Sequence, residues 1–147
     1  MARHSVGVKT TNGGTSTLPA ISLYNTAAMV AKIREIGIFN TTNTATDMRV
    51  VSLSATGTQG TALTEFQQDS GSGAPVATGF NSHSAGTPVG LDAGYRASLG
   101  AAIGAGVIWT CGDAGLRTTM ATANGFGVIP ADGATGQILQ AYIVWDE

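Results

Sequence analysis

The chain has 147 residues, of which 43% are hydrophobic and only 11% are charged, and its formal net charge is −2. That length suits one domain with a core of its own, and the acidic balance excludes the basic stripe that nucleic-acid binders need. A single cysteine, Cys111, excludes an internal disulfide and every multi-cysteine zinc site, and the sequence has no run of about 18 apolar residues to span a membrane.

Small and β-prone residues dominate the composition. Thr and Ser together supply 30 of the 147 residues, and Gly supplies 21. Thr favours strands, whereas Gly and Ser favour turns, and the turn signals recur about every 8–12 residues. The sequence therefore predicts an all-β domain: an antiparallel β-sandwich of about eight short strands, for which a jelly roll is one candidate topology.

The first 17 residues are polar and carry an Asn12-Gly13-Gly14 turn signal. One interpretation is a short first strand, Ser5–Lys9, followed by a loop. The other is an extended arm that orders only on a partner. We adopt the second division of the chain, with an N-terminal arm over residues 1–17 and a single β-sandwich domain over residues 18–147.

Two short elements follow the arm. Leu18–Tyr24 predicts a strand, and Pro19 places it at a sheet edge or at a strand start because proline cannot donate to the ladder. Asn25–Val30 is the best candidate for a helical turn, since Asn25 is a favourable helix cap.

The clearest strand is Lys32–Asn40. Its two-residue period places Ile36 on one face, and Ile33 and Phe39 on the other. A bulge near Arg34-Glu35, or burial on both faces, explains why both faces are apolar.

The segment Asp47–Ala55 predicts the returning strand, so we expect it to form a hairpin with the strand before it. In that register Arg34 or Glu35 faces Arg49, which would make a cross-strand ion pair.

Further strands and loops complete the chain. The predicted strands are Thr61–Phe66, Pro75–Phe80, Gly106–Thr110, Leu116–Met120, Phe126–Ile129 and Gln137–Trp145. The predicted loops are Gln67–Gly73, Asn81–Gly94 and a turn at Pro130-Ala131-Asp132-Gly133.

The last strand is apolar on both faces, with Leu139, Ala141, Ile143 and Trp145 on one side and Ile138, Tyr142 and Val144 on the other. Such a strand either lies between two layers or pairs its outer face with another subunit. The predicted core is Ile36, Ile38, Val51, Leu53, Ile108, Phe126, Val128, Leu139, Ile143 and Trp145.

No residue pattern predicts a chemical site. The two histidines, His4 and His83, have few acidic neighbours in sequence, so they do not make the converging ligand set of a metal site. No helix start follows Cys111 to activate it, so we expect a buried or half-buried thiol. The carboxylates fall at turns or strand starts, where Asp is locally favoured: Asp47, Asp69, Asp92, Asp113 and Asp132. We therefore predict no catalytic, cofactor-binding or metal-ligating residue, no cofactor and no enzyme activity.

Four segments resemble small structural proteins encoded in the virion-gene clusters of tailed bacteriophages: Lys32–Thr42, Gly94–Thr110, Gly125–Gln137 and Tyr142–Glu147. The resemblance is one of strand-and-turn style and carries over no functional residues. It implies a virion protein that is assembled in the bacterial cytoplasm, either a capsid decoration protein or a minor tail component, and of these we expect a non-enzymatic capsid decoration protein. Such a protein binds the outer surface of the major capsid lattice as a homotrimer, with residues 1–17 touching the lattice. Nucleic acid, membrane and small-molecule partners are not expected.

Two other functions stay open. A minor tail or fibre-associated protein that attaches to the host surface predicts aromatic side chains in the loops 67–73 or 81–94. A small carbohydrate-active enzyme or lectin on the same sandwich predicts converging polar groups around Asp92 or Asp113.

Overall fold

The computed structural model describes residues 1–85, 89–131 and 137–147. These residues form strands and no helix, which confirms the all-β prediction. The strands are β1 (Arg3–Lys9), β2 (Ile21–Asn25), β3 (Lys32–Asn40), β4 (Thr46–Leu53), β5 (Thr61–Ala62), β6 (Phe66–Gln67), β7 (Ala77–Asn81), β8 (Val89–Leu99), β9 (Gly106–Thr110), β10 (Leu116–Arg117), β11 (Gly125–Pro130) and β12 (Leu139–Asp146).

The strands form two antiparallel sheets packed face to face. Sheet I has the order β10–β3–β12–β1–β6, with β9 also paired to β3, and sheet II has the order β5–β7–β2–β11–β4–β8. Ile36, Ile143 and Trp145 of sheet I meet Leu23 and Val128 of sheet II in the main core. The predicted β-sandwich is confirmed.

Eight of the strands follow a jelly-roll order. Sheet I contains β9–β3–β12–β1 and sheet II contains β8–β4–β11–β2, so the chain changes sheet at almost every step between these strands. The predicted count of about eight strands is too low for the described residues. β5, β6 and β7 extend one side of the sandwich, and β10 pairs with β3 next to β9.

Residues 1–17 were expected to form an extended arm, but Arg3–Lys9 forms strand β1 instead. Arg3–Lys9 pairs along its whole length with β12, from Arg3 opposite Asp146 to Lys9 opposite Gln140, and it pairs with β6 on its other side. His4 and Val6 are buried. The interpretation as a first strand followed by a loop is therefore confirmed. Residues 18–147 do not make the sandwich alone, because β1 lies between two strands of sheet I.

The predicted hairpin of β3 and β4 is wrong, because β3 belongs to sheet I and β4 to sheet II. The turn between them crosses from one sheet to the other, and alternation along two strands does not distinguish these arrangements. The expected pairing of Arg34 or Glu35 with Arg49 is wrong for the same reason. Arg49 lies opposite Arg96 on β8, with Nη1 3.6 Å from Asp92 Oδ2.

The predicted bulge in β3 is confirmed. Val144 of β12 lies opposite Glu35, but the next residue of β12, Trp145, lies opposite Ile33. Two residues of β3 therefore span one step of β12, with Arg34 as the extra residue. The bulge turns both Ile33 and Ile36 inward, where each is at most 1% exposed.

The predicted core is wrong at one position. Ile108 is 50% exposed, because β9 turns its neighbour Trp109 inward instead. Val51 and Leu53 are buried as predicted, but they lie with Tyr24 and Ile129 in a second cluster separate from the main core.

Several other elements differ from the prediction. The helical turn expected over Asn25–Val30 is absent, since Asn25 ends β2 and its side-chain amide donates to the Met29 carbonyl over 2.6 Å. Thr61–Phe66 contributes to β5 and β6, which lie in different sheets. The predicted loop Asn81–Gly94 contains the start of β8, and β2 is a central strand that begins after Pro19. Asp132 and Gly133 of the predicted turn lie outside the described residues.

Candidate interaction surface

The outer face of sheet II is covered by the chain's own loops. Leu53 ends β4 at one end of this sheet, whereas Thr61 pairs with Asn81 at the other end, so residues 54–60 cross the face. The described residues after β7 lie over the same face, because His83 is hydrogen-bonded to Ser22 of β2. The two segments join where the Thr58 N–H donates to the Ala85 carbonyl over 2.8 Å. We call them the roof; its described residues are 54–60 and 82–85.

His83 fastens the roof to the sheet. Its Nε2 lies 2.7 Å from Ser22 Oγ on β2, its ring is 6.0 Å from that of Tyr24, and the residue is 5% exposed. Burial lowers the pKa of His83 to about 4, so the ring is neutral at pH 7. His4 lies in sheet I instead, 5.7 Å from the ring of Trp145. In the described ranges no cluster of three His, Cys, Asp or Glu residues could hold a metal ion.

Cys111 is half-buried directly after β9, as expected for a structural thiol. Burial raises the pKa of this thiol, and Tyr95 is its side-chain hydrogen-bond partner. A raised pKa keeps the sulfur protonated at neutral pH, which is the opposite of what a nucleophile needs.

Asp146, which is buried, and Asp92, which is half-buried, both bind arginines. Asp146 accepts from Arg3 Nε over 2.8 Å and from Arg34 Nε over 2.6 Å, and the hydrogen bond from Arg3 is the main reason that its pKa lies below the usual value. Asp92 accepts from the Gly94 N–H and from Arg96, and the Gly94 bond does most to lower its pKa.

The side-chain carboxylate of Glu147, at the C-terminal end of β12, also accepts hydrogen bonds from N–H groups of the fold. The two Glu147 carboxylate oxygens accept from the N–H groups of Val76 and Ala77 and from Trp145 Nε1, at 2.7 to 2.8 Å. These contacts attach the end of β12 to the segment that leads into β7. Asp113 stays exposed, and its backbone carbonyl accepts from Arg34.

The outer face of sheet I has no comparable cover in the described part of the chain. We call this surface the open face. It consists of three rows of outward residues across β6, β1, β12, β3 and β9: Phe66, Ser5, Val144, Glu35 and Thr110; Gly7, Tyr142, Gly37 and Ile108; Lys9, Gln140, Phe39 and Gly106. The next row, with the Arg3–Asp146 ion pair and Lys32, lies outside it.

Two aromatic rings lie flat on the open face because glycines on the next strand make room for them. A Cβ at Gly37 would collide with the ring of Tyr142, and a Cβ at Gly106 would collide with the ring of Phe39. The two ring planes differ by 21°, with centroids 6.5 Å apart. The Tyr142 hydroxyl donates to Glu35 Oε1 over 2.6 Å. Burial, with help from this carboxylate, raises the pKa of Tyr142 to about 12.

The margins of the open face are apolar and exposed. Phe66 on β6 is 68% exposed and Ile108 on β9 is 50% exposed. Between them, a shallow depression of about 350 Å³ lies beside Tyr142, lined also by Val8, Lys9, Phe39, Gln140 and Ala141. A flat surface with exposed apolar margins suits contact with another protein surface better than enclosure of a small molecule.

The aromatic cluster expected for a host-attachment module is absent from the described loop residues. Phe80 lies on β7 and packs against the second cluster, with its ring 6.2 Å from that of Tyr24. Tyr95 lies on β8, packed against the main core.

The sequence could not have revealed the open face directly. Alternation along the last strand predicts only Ile138, Tyr142 and Val144 on its second face, and the roof over sheet II depends on how loops are routed. Comparison with family models, with curated proteins and with solved structures finds no match to this chain. Within the described ranges, no helix is both long and apolar enough to pass through a bilayer.

Proposed function

We propose that the chain is a non-enzymatic structural protein of a tailed-phage virion: a capsid decoration protein that binds the outer surface of the major capsid lattice and stabilises the head. Its partners are then the major capsid protein and further copies of itself. Its location is the virion, assembled in the bacterial cytoplasm. The phage resemblance implies that the chain is a homotrimer.

The observation that carries this proposal is the contrast between the two outer faces. The outer face of sheet II is covered by the roof, whereas the open face of sheet I presents Phe66 and Ile108 to solvent. A protein that assembles on a shell needs one broad surface of this kind and no deep cavity.

The use of the polar groups supports a non-enzymatic role. Asp146, Asp92 and Glu147 are held by arginines or N–H groups, and His83 is neutral and buried under the roof. Each of these side chains has a structural task in the fold. Few charges and a disulfide-free framework also suit close packing in a reducing cytoplasm.

The test is binding of the purified chain to emptied capsids of a phage that carries the gene. We expect saturation at hundreds of copies per particle, measured by quantitative mass spectrometry of sedimented capsids. Ile108→Asp on the open face should weaken binding at least tenfold. Leu91→Asp is the matched control, because Leu91 is 83% exposed on β8 of sheet II.

Two results would overturn the proposal. One is the absence of binding to emptied capsids. The other is a handful of copies located at the tail of the intact virion, which would assign the chain to the minor tail or fibre-associated class instead.

A further inference from the structure

Two charged side chains occupy opposite corners of the open face. Lys9 lies one strand away from Tyr142 on the β1 side and two residues towards one end of the sheet. Glu35 lies one strand away on the β3 side and two residues towards the other end. Neither takes part in the ion pairs found among the described residues, which involve Arg3, Arg34, Arg49, Arg96, Asp92 and Asp146.

We infer that the open face packs against the open face of a second copy about a two-fold axis, with Lys9 of each copy facing Glu35 of the other. The inference rests on the proposed function, which supplies the open face as a contact surface. The two-fold pair is then the form of the chain in free solution, and the capsid lattice replaces the second copy on the open face during assembly. Isologous two-fold contacts are the commonest form of self-association.

The register makes this contact self-complementary. Strands lie about 4.8 Å apart and rise about 3.4 Å per residue, so Lys9 and Glu35 each lie about 8 Å from Tyr142, in opposite directions. A two-fold axis can lie in the plane of the interface, over Tyr142 and at right angles to the line from Lys9 to Glu35. Rotation about this axis places Lys9 of each copy over Glu35 of the other. The strands of the two copies then cross at about 70°, close to the orthogonal class of sheet packing.

The same axis covers the exposed apolar margins. Phe66 lies one strand beyond β1 in the row of Ser5, and this position falls on the axis. The Phe66 rings of the two copies therefore contact each other. Ile108 lies in the row of Tyr142, two strands away, and the rotation brings it over Phe39 of the other copy. The most exposed apolar residues of the face thus acquire apolar partners.

The area of the open face is small for a stable interface. β1 has 7 residues and the face is five strands wide. Its flat area is therefore about 580 Å² on each copy, or about 1,150 Å² for the pair. Specific interfaces start at about 1,200 Å², so the contact belongs to the weak, concentration-dependent class.

The experiment is sedimentation velocity of the full chain from about 1 to 500 μM, with charge-reversal variants. The wild type should dimerise as its concentration rises. Lys9→Glu and Glu35→Lys should each weaken dimerisation at least tenfold, because each places two like-charged pairs in the interface. The double variant Lys9→Glu/Glu35→Lys should restore it.

Matched controls separate the contact from damage to the fold. Arg117→Glu and Asp113→Lys reverse charges on exposed residues outside the open face, and both should dimerise like the wild type. Glu35→Lys also removes the acceptor of the Tyr142 hydroxyl, so its melting temperature is recorded beside that of Lys9→Glu. Phe66→Asp is a further variant that leaves the hydrogen bond between Tyr142 and Glu35 in place, and it should abolish dimerisation.

The outcomes separate this inference from the proposed function. A wild type that stays monomeric but saturates emptied capsids overturns the two-fold contact alone. A trimer unaffected by the single charge reversals overturns it as well. A dimer that the double variant rescues supports it. Capsid binding is then measured at concentrations where the chain is monomeric and the open face is free, and its absence there makes the proposed function wrong while the contact stands.

Discussion

Thr58 and Ala85 form a β-bridge across the outer face of sheet II, with the Thr58 N–H donating to the Ala85 carbonyl over 2.8 Å. The bridge joins two segments that cover Tyr24 and Val51, so apolar residues on that face are buried within one chain. In the described residues sheet I has no such cover. One outer face of the sandwich is therefore covered and the other is open. The open face is where we propose that other subunits bind.

Replacing Gly37 with alanine tests how the open face is built. The new Cβ would collide with the ring of Tyr142, which must leave the sheet surface. We expect the free energy of unfolding to fall by about 1–3 kcal/mol, the usual cost of overpacking, measured by urea denaturation.

Gly7 supplies the control for this substitution, since it flanks Tyr142 on the other side. A Cβ at Gly7 would make ordinary contacts of 3.6 Å with Tyr142 and Ala141. Gly7→Ala should therefore change stability by less than about 0.5 kcal/mol. Equal effects at the two glycines would show that the ring does not depend on Gly37.

The burial of His83 predicts a pH dependence of stability. Its pKa is about 4 in the folded chain and about 6.5 when unfolded, so the unfolded state binds the proton first as the pH falls. Stability should be unaffected by this group above pH 6.5 and should fall by about 3 kcal/mol between pH 6.5 and 4.

His83→Gln provides the control, because it cannot take up that proton. Urea midpoints measured from pH 7.5 to 4 should lose most of their slope in this variant. An unchanged slope would mean that another group produces it. Loss of the Asp92 and Asp146 ion pairs is a separate event, because the pKa values of these carboxylates lie below their usual values and their contribution disappears only at lower pH.

Asp146→Asn tests the junction of β1, β12 and β3. The buried carboxylate accepts from Arg3 and Arg34, and an amide keeps its shape but loses its charge. Although Arg3 does most to lower the pKa of Asp146, it is half-exposed and water screens its charge, so it adds less to stability than that pKa shift suggests. We expect a loss of about 2 kcal/mol, with a large share from the less exposed Arg34. Asp113→Asn, at an exposed carboxylate, should leave the urea midpoint at pH 7 within error of the wild type.

Several elements were predictable because local pattern alone determines them. Gly106–Thr110 matches β9 residue for residue, and Leu139, Ile143 and Trp145 point inward as their alternation predicts. The bulge at Arg34 was one of the two explanations that the apolar pattern of β3 left open, and the register of β12 decides in its favour.

The remaining features depend on contacts between distant parts of the chain. Alternation cannot tell whether β4 pairs with β3 or crosses to the other sheet, which is why the hairpin was wrong. In β9, Ile108 and Trp109 are both good core residues, and only the position of the sheet decides which one turns inward. The open face and the roof likewise arise from loop routing rather than from composition.

Hydroxyl-radical footprinting with mass spectrometry tests the central claim most directly, because it reports the exposure of individual side chains. With the chain bound to emptied capsids, oxidation of Phe66, Ile108 and Tyr142 should fall at least severalfold. Oxidation of Leu91, Ile103 and Met120, which are exposed outside the open face, should stay as in the free chain. Unchanged oxidation of the first three residues, or protection confined to the second three, would contradict the account.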